Sequence, residues 1–379
     1  MADKEIKENK IDLSFSEVSE RERTKHVHRL HPYLGKFIPQ LATYFLSRYF
    51  KPGETILDPF AGSGTTLVEA SVLAMNSIGI DISEFNCLIM GVKTDKYDLF
   101  LLDREVKDIL KKLISFSKKL VEKNYFSKDK IQSKTDSEYL NEWFSERALQ
   151  EIIYYKSLIS NYTYQNVLKI ILSRSARSAR QIHHYDLARP KKPVKTSYYC
   201  FKHSRICAPV DEALKFIYRY SLDTIRRISQ YQKLRKDVEI EIIIGDTRTV
   251  KLNKIVDGVF TSPPYVGLID YHDQHRYAYE LFGLRENSEK EIGPMSKGSN
   301  GNAKSLYVHD MIASFKNLKK FIRKDGLLFI VANDKYELYK NILKESDLEL
   351  IEIFSRPVTK RTERTNGLYY ENIFMMKNK

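Results

Sequence analysis

Cysteine is scarce in this chain: Cys87, Cys200 and Cys207 are the only three in 379 residues. An odd number without framework spacing excludes a disulfide-stapled secreted domain and fits a reducing cytoplasm. Long apolar runs are missing as well. None approaches the roughly 18 residues of a membrane-spanning helix, so no membrane is expected among the partners. The opening MADKEIKENKIDLSF has neither an apolar core nor a cleavage site, and no signal peptide is expected. No internal repeat is visible. What the chain does have is 42% hydrophobic residues, enough for a packed core.

Charge is unevenly placed. Residues 96–236 hold 30 lysines and arginines against 15 acids, whereas the remainder holds 33 against 34. One internal segment thus carries the whole net charge of +14. A basic block inside a near-neutral chain fits a polyanionic partner, most simply nucleic acid, against the alternative of a solvated basic surface.

In order, residues 1–25 are charged and aperiodic, and are expected to be a loose tail. His31-Pro32-Tyr33-Leu34-Gly35-Lys36-Phe37 is a loop, and Leu41 to Tyr49 has helical spacing. Thr55-Ile56-Leu57 opens a strand, and Asp58-Pro59-Phe60-Ala61-Gly62-Ser63-Gly64-Thr65-Thr66 is a glycine-bearing turn. A helix then leads to the strand Ser77–Asp81, which ends in an acid. Strand, glycine turn, helix and strand-tip acid in register suit a nucleoside-bearing cofactor, with backbone close to the ligand and the acid on ribose hydroxyls. The third glycine of the dinucleotide pattern is absent, which disfavours NAD.

From about 96 to 236 the pattern is mostly helical. It is too long for a loop, so a separate lobe is expected. Arg174, Arg177 and Arg180 fall three apart along one helix side. Lys191, Lys192, Lys202 and Arg205 follow among Tyr198, Tyr199 and Phe201. Basic groups interleaved with aromatics suit phosphate contact and base stacking. Cys200, His203 and Cys207 could be read as metal ligands. A structural zinc wants four ligands at tighter spacing, so no metal is expected. The core resumes with the strand Val238–Ile244 and a further tip acid, Asp246. Next, the buried run Ile255–Phe260 ends in Thr261-Ser262-Pro263-Pro264-Tyr265. Two prolines cannot continue a ladder, so this stretch forms a stiff rim at the carboxyl end of a strand, where open α/β sheets bind ligands. Residues 286–304 read as a mobile loop. The segments 348–354 and 369–376 read as a final antiparallel pair, and the basic loop between them carries Arg361 and Arg364.

DPFAGSGTT and TSPPY together resemble the motifs of the amino-group DNA methyltransferases that use S-adenosylmethionine, over about 26–95 and 237–379. Their order, with a long insert between them, resembles the alpha arrangement, in which the insert recognises the target. The resemblance implies a Rossmann-like, mainly parallel sheet with helices on both faces and a C-terminal antiparallel hairpin, plus a mostly helical inserted domain. The implied division is a tail (1–25), a cofactor-binding part (26–95), the insert (96–236) and the TSPPY part (237–379). The implied cofactor residues are Lys36, Phe37, Asp58, Pro59, Phe60, Ala61, Gly62, Gly64, Thr65, Thr66, Asp81, Ile82, Asp246 and Thr261. Of these, Asp81 would serve the ribose and Asp246 the adenine. Ser262, Pro263, Pro264 and Tyr265 would be catalytic, acting on a base extracted from double-stranded DNA. Ser-Pro-Pro-Tyr points to cytosine N4, with adenine N6 as the alternative. No Pro-Cys occurs, which disfavours carbon-5 methylation. A cognate restriction endonuclease is a possible partner that no residue signals. An RNA base methyltransferase and a non-catalytic DNA-binding subunit remain as rivals.

Overall fold

The β-branched runs that read as strands do pair. The computed structural model describes residues 8–9, 12–35, 37–126, 135–187, 190–359 and 368–379. Among them the strands are β1 (Glu8–Asn9), β2 (Thr55–Asp58), β3 (Asn76–Asp81), β4 (Tyr198–Cys200), β5 (Arg205–Cys207), β6 (Ile240–Ile244), β7 (Val256–Thr261), β8 (Ile322–Ala332), β9 (Leu348–Thr359) and β10 (Leu368–Asn378). The main sheet has the order β1-β9-β10-β8-β7-β2-β3-β6, and β4 and β5 form a separate small hairpin. Neighbours β8, β7, β2, β3 and β6 run parallel, while β10 is antiparallel to both β8 and β9. This is the expected mixed, mainly parallel sheet with a C-terminal hairpin.

One apolar cluster on the sheet joins Leu57, Val259 and Ile330 to the helix Gly301–Lys319 through Met311 and Phe315. A second joins Phe260 and Phe329 to the helix Pro39–Tyr49 through Leu41 and Phe45. Pro39 fits that helix's first turn because its missing N–H would have no partner there. The sheet is thereby covered on both faces, as parallel strands require.

Two expectations are corrected. Leu13, within the expected loose tail, is buried with Phe37 and Leu41, so the stretch around it is packed rather than free. Nor is the helical segment a separate lobe. Helices Leu99–Phe126, Glu146–Leu158, Gln165–Ala179 and Leu214–Gln232 share one core with Val27, Phe85, Ile89 and Tyr277 of the sheet domain. The basic count obscured this, because the apolar stripes of these helices point inward against sheet-domain residues.

Candidate functional site

Four strand ends supply the walls of one cleft. Pro59, Phe60, Ala61 and Gly62 follow β2, and Asp81 and Ile82 stand at the end of β3. Gly245, Asp246 and Thr247 follow β6, and Ser262 and Pro264 follow β7. These strands are neighbours in the order β7-β2-β3-β6, so the chain's two motifs converge at the carboxyl edge of the sheet. Tyr33, Gly35 and Phe37 close one side, and Tyr271, Lys290, Glu291 and Ile292 another.

The glycine turn makes room by geometry. Gly62 has φ +52°, and a Cβ there would lie 2.8 Å from the Tyr33 hydroxyl. Gly64, at φ +76°, caps the helix Thr65–Val72; a Cβ would lie 2.8 Å from Met90. Both positions are in the left-handed region that glycine enters without strain. The Gly62 N–H donates to Asp81 Oδ2 at 2.8 Å, and Ser83 N and Asn86 Nδ2 donate to Oδ1 at 2.9 and 3.0 Å. Oδ2 therefore keeps acceptor capacity, and Asp81 lines the cleft, as a ribose hydroxyl needs. Burial pushes this carboxyl up to about 6, despite those donors. A backbone brought close by glycine, with an acid aimed across it, fits a nucleoside-bearing cofactor.

Asp58 behaves differently. It is buried beneath the cleft and accepts from Thr66 Oγ1 at 2.6 Å, Thr261 Oγ1 at 2.7 Å and Phe60 N at 3.2 Å. Desolvation raises it to about 6. Thr66 belongs to the glycine motif and Thr261 to the Pro-Pro motif, so Asp58 latches the two together. Asp58, Gly64, Thr65, Thr66 and Thr261 form the support of the cleft rather than its lining. The lining includes Phe37, Pro59, Phe60, Ala61, Gly62, Asp81, Ile82 and Asp246 from the expected cofactor set. Lys36 lies outside the described residues.

Asp246 is clasped by Arg248, with Nε 2.9 Å from Oδ1 and Nη2 2.7 Å from Oδ2. Burial would raise its carboxyl, but the guanidinium outweighs this and lowers it. On the rim, Ser262 and Pro264 face the cleft while Pro263 is buried. Tyr307 donates to the Pro264 carbonyl at 3.0 Å. The Tyr265 hydroxyl lies 3.0 Å from Glu371, which pairs with Arg356 at 3.1 Å across β9 and β10. Tyr265 is half-buried and held at its far end.

Several lining residues escaped the sequence. Tyr271, Lys290, Glu291 and Ile292 belong to stretches with no motif, and 286–304 was expected to be mobile. Instead, Glu291 is buried, accepting from His272 N at 2.9 Å and pairing with the same ring. The buried His272 ring is the partner that periodicity does not reveal.

The expected DNA residues divide. Arg174 is buried, 2.7 Å from Asp223 and stacked 4.1 Å over the Tyr220 ring. Arg180 is buried over Trp143 and Tyr277 and donates to the Leu187 carbonyl. Those two are corrected to structural roles, since Arg174 is taken up by Asp223 and Tyr220 and Arg180 by Trp143, Tyr277 and the Leu187 carbonyl. Arg177 is half-buried beside them. Lys191, Lys192, Lys202 and Arg205 are exposed. Arg361 and Arg364 lie outside the described residues.

A DNA methylase family profile matches residues 3–92. The chain is 43% identical to the type II methyltransferase M.MjaII of Methanocaldococcus jannaschii, over 97% of this chain and 83% of that protein. It is 25% identical to the type II methyltransferase M.MvaI of Kocuria varians, over 82% of this chain and 69% of that one. Among solved structures it is similar to TrmN from Thermus thermophilus, at 12% identity and a TM-score of 0.35, over 91% of this chain and 50% of that one. With two motifs meeting in one cleft and a relative this similar along nearly its whole length, the chain belongs to the amino-group (N4/N6) DNA methyltransferases.

Proposed function

We propose that this DNA methyltransferase transfers the methyl group of S-adenosylmethionine to the exocyclic N4 of a cytosine swung out of duplex DNA, as the modification partner of a restriction endonuclease. The observation that carries the reading is that Ser262 and Pro264 line the same cleft as Gly62, Asp81 and Asp246.

Bound S-adenosylmethionine supplies an electrophilic sulfonium methyl. The chain's task is to aim a poor nucleophile at it, because an exocyclic amine has its lone pair conjugated into the ring. Ser262 Oγ and the Pro263 carbonyl accept the two amino hydrogens, drawing the nitrogen towards tetrahedral geometry and freeing the lone pair. Among the described residues none donates to either acceptor, whereas the Pro264 carbonyl is already occupied by Tyr307. Asp58 does not act as a base, since Thr66, Thr261 and Phe60 hold its carboxylate. No strong base is needed; the proton leaves to solvent after transfer. Tyr265, anchored through Glu371 to Arg356, offers a ring for the extracted base to stack on. Extraction costs a few kcal/mol, which the exposed basic contacts of the insert offset.

Nucleoside mass spectrometry of DNA from a host expressing the chain tests this. N4-methylcytosine is the expected product. N6-methyladenine would assign the same geometry to the other amine, and the absence of both would overturn the reading.

A further inference from the structure

The β4–β5 hairpin poses a physical problem. Each strand has three residues, and Tyr199, Phe201 and Ile206 are 51, 77 and 66% exposed, so its large apolar side chains face outward. Two-stranded hairpins are marginal in water even when longer, and one without a core of its own needs a staple. The turn also holds Ser204 at φ +50°, a left-handed conformation unfavourable for a residue with a Cβ.

At the hairpin four candidate ligands converge, two of them buried, His184 half-buried and His203 exposed. His184 Nδ1 or Nε2, Cys200 Sγ, a His203 ring nitrogen and Cys207 Sγ all lie within 4.8 Å of one another, and both cysteines are buried. The sulfurs of Cys200 and Cys207 are each 3.5 Å from His203 Nδ1, and Cys200 Sγ is 3.8 Å from His184 Nδ1. Around one tetrahedral zinc with bonds of about 2.3 Å to sulfur and about 2.0–2.1 Å to nitrogen, a sulfur and a nitrogen stand about 3.6 Å apart. The observed separations match. His203 falls three residues beyond Cys200 and Cys207 four beyond His203, which is turn spacing for ligands. His184 comes from the preceding loop, where its backbone N–H donates to the Tyr198 hydroxyl at 3.0 Å. That contact brings the loop and the hairpin together before any ion arrives. The expectation of no metal came from counting three ligands; the fourth lies sixteen residues upstream and joins only through the fold.

We infer that His184, Cys200, His203 and Cys207 bind one zinc ion in a closed, structural His2Cys2 site that fixes the hairpin. Binding releases two thiol protons, one from each cysteine, and leaves no open position for a substrate. A Cys200–Cys207 disulfide would use the sulfurs alone and leaves the convergence of two imidazoles unexplained. The site is remote in sequence from both motifs and takes no part in methyl transfer. On the DNA reading, it holds Lys202 and Arg205 in place.

The full-length protein, purified without chelator from zinc-supplemented cells, is expected to carry one zinc per chain by inductively coupled plasma mass spectrometry. After chelation and cobalt loading, it should show the intense visible bands of tetrahedral, thiolate-ligated cobalt. The Cys200→Ser/Cys207→Ser double variant should lose both signals, while Cys87→Ser keeps them. If the double variant fails to fold, the wild-type cobalt spectrum and the protection of two thiols by zinc decide the matter. Wild-type protein that retains no metal after zinc incubation and dialysis overturns the inference. So does equimolar zinc in a folded double variant, or a Cys200–Cys207 disulfide in protein kept reduced.

Discussion

The cleft and the helical insert treat charge in opposite ways. In the cleft, Asp81 keeps acceptor capacity at Oδ2 after three internal donors are counted, and it faces open space. In the insert, Arg174 and Arg227 both close on Asp223, and Arg180 is packed over two aromatic rings. A charged group serves a ligand only where the fold leaves part of its bonding unfilled. Net charge marks a segment of the chain, but exposure and pairing decide which residues within it can meet a polyanion.

The largest effect expected from breaking this contrast is on the cleft side. Ser262→Ala removes one of two acceptors for the amine, and turnover should fall by on the order of 10²-fold or more while S-adenosylmethionine affinity stays within about twofold. Single-turnover methylation and a cofactor titration measure the two separately; near-normal turnover would remove Ser262 from its role. Asp81→Asn should weaken cofactor binding by about 10- to 100-fold, the scale of a hydrogen bond to a charged group. The pH dependence sharpens the point. Because the folded protein holds the Asp81 proton up to about 6, cofactor affinity should be flat above that pH. Below it, affinity should fall by roughly tenfold per unit as the carboxylate is neutralised. Asp58 titrates in the same range. The step should therefore vanish in Asp81→Asn if it belongs to Asp81, and persist if it belongs to Asp58.

Much of the cleft was legible because local rules impose it. Gly62 and Gly64 adopt positive φ, the strand-tip acids Asp81 and Asp246 sit at strand ends, and two prolines stop β7. Each of these is written within a few residues of sequence. The latch by Asp58 was not legible, because Thr66 and Thr261 are far apart in the chain and only the sheet order makes them neighbours. The same holds for Glu291 with His272. In the insert, a three-residue spacing placed Arg174 and Arg177 on the helix Gln165–Ala179, while Arg180 is its C-cap, with non-helical backbone. It gave no sign of which way that helix face points, and Asp223, Trp143 and Tyr277 settle that from elsewhere in the chain.

The smaller effects lie in the insert and separate its two kinds of basic residue. Arg174→Ala should lower stability by about 1–3 kcal/mol, through the loss of the Tyr220 stack and a weakened Asp223 pair. Denaturant unfolding would report this loss. The slope of log DNA affinity against log salt should not change, since no phosphate contact is removed. Lys202→Ala/Arg205→Ala should do the reverse. Stability should stay within about 0.5 kcal/mol, as both side chains are exposed. The salt slope should become shallower by about 2, one counterion for each lost phosphate contact. If the double variant kept the full slope while Arg174→Ala reduced it, burial would not be what decides which charges of this insert reach DNA.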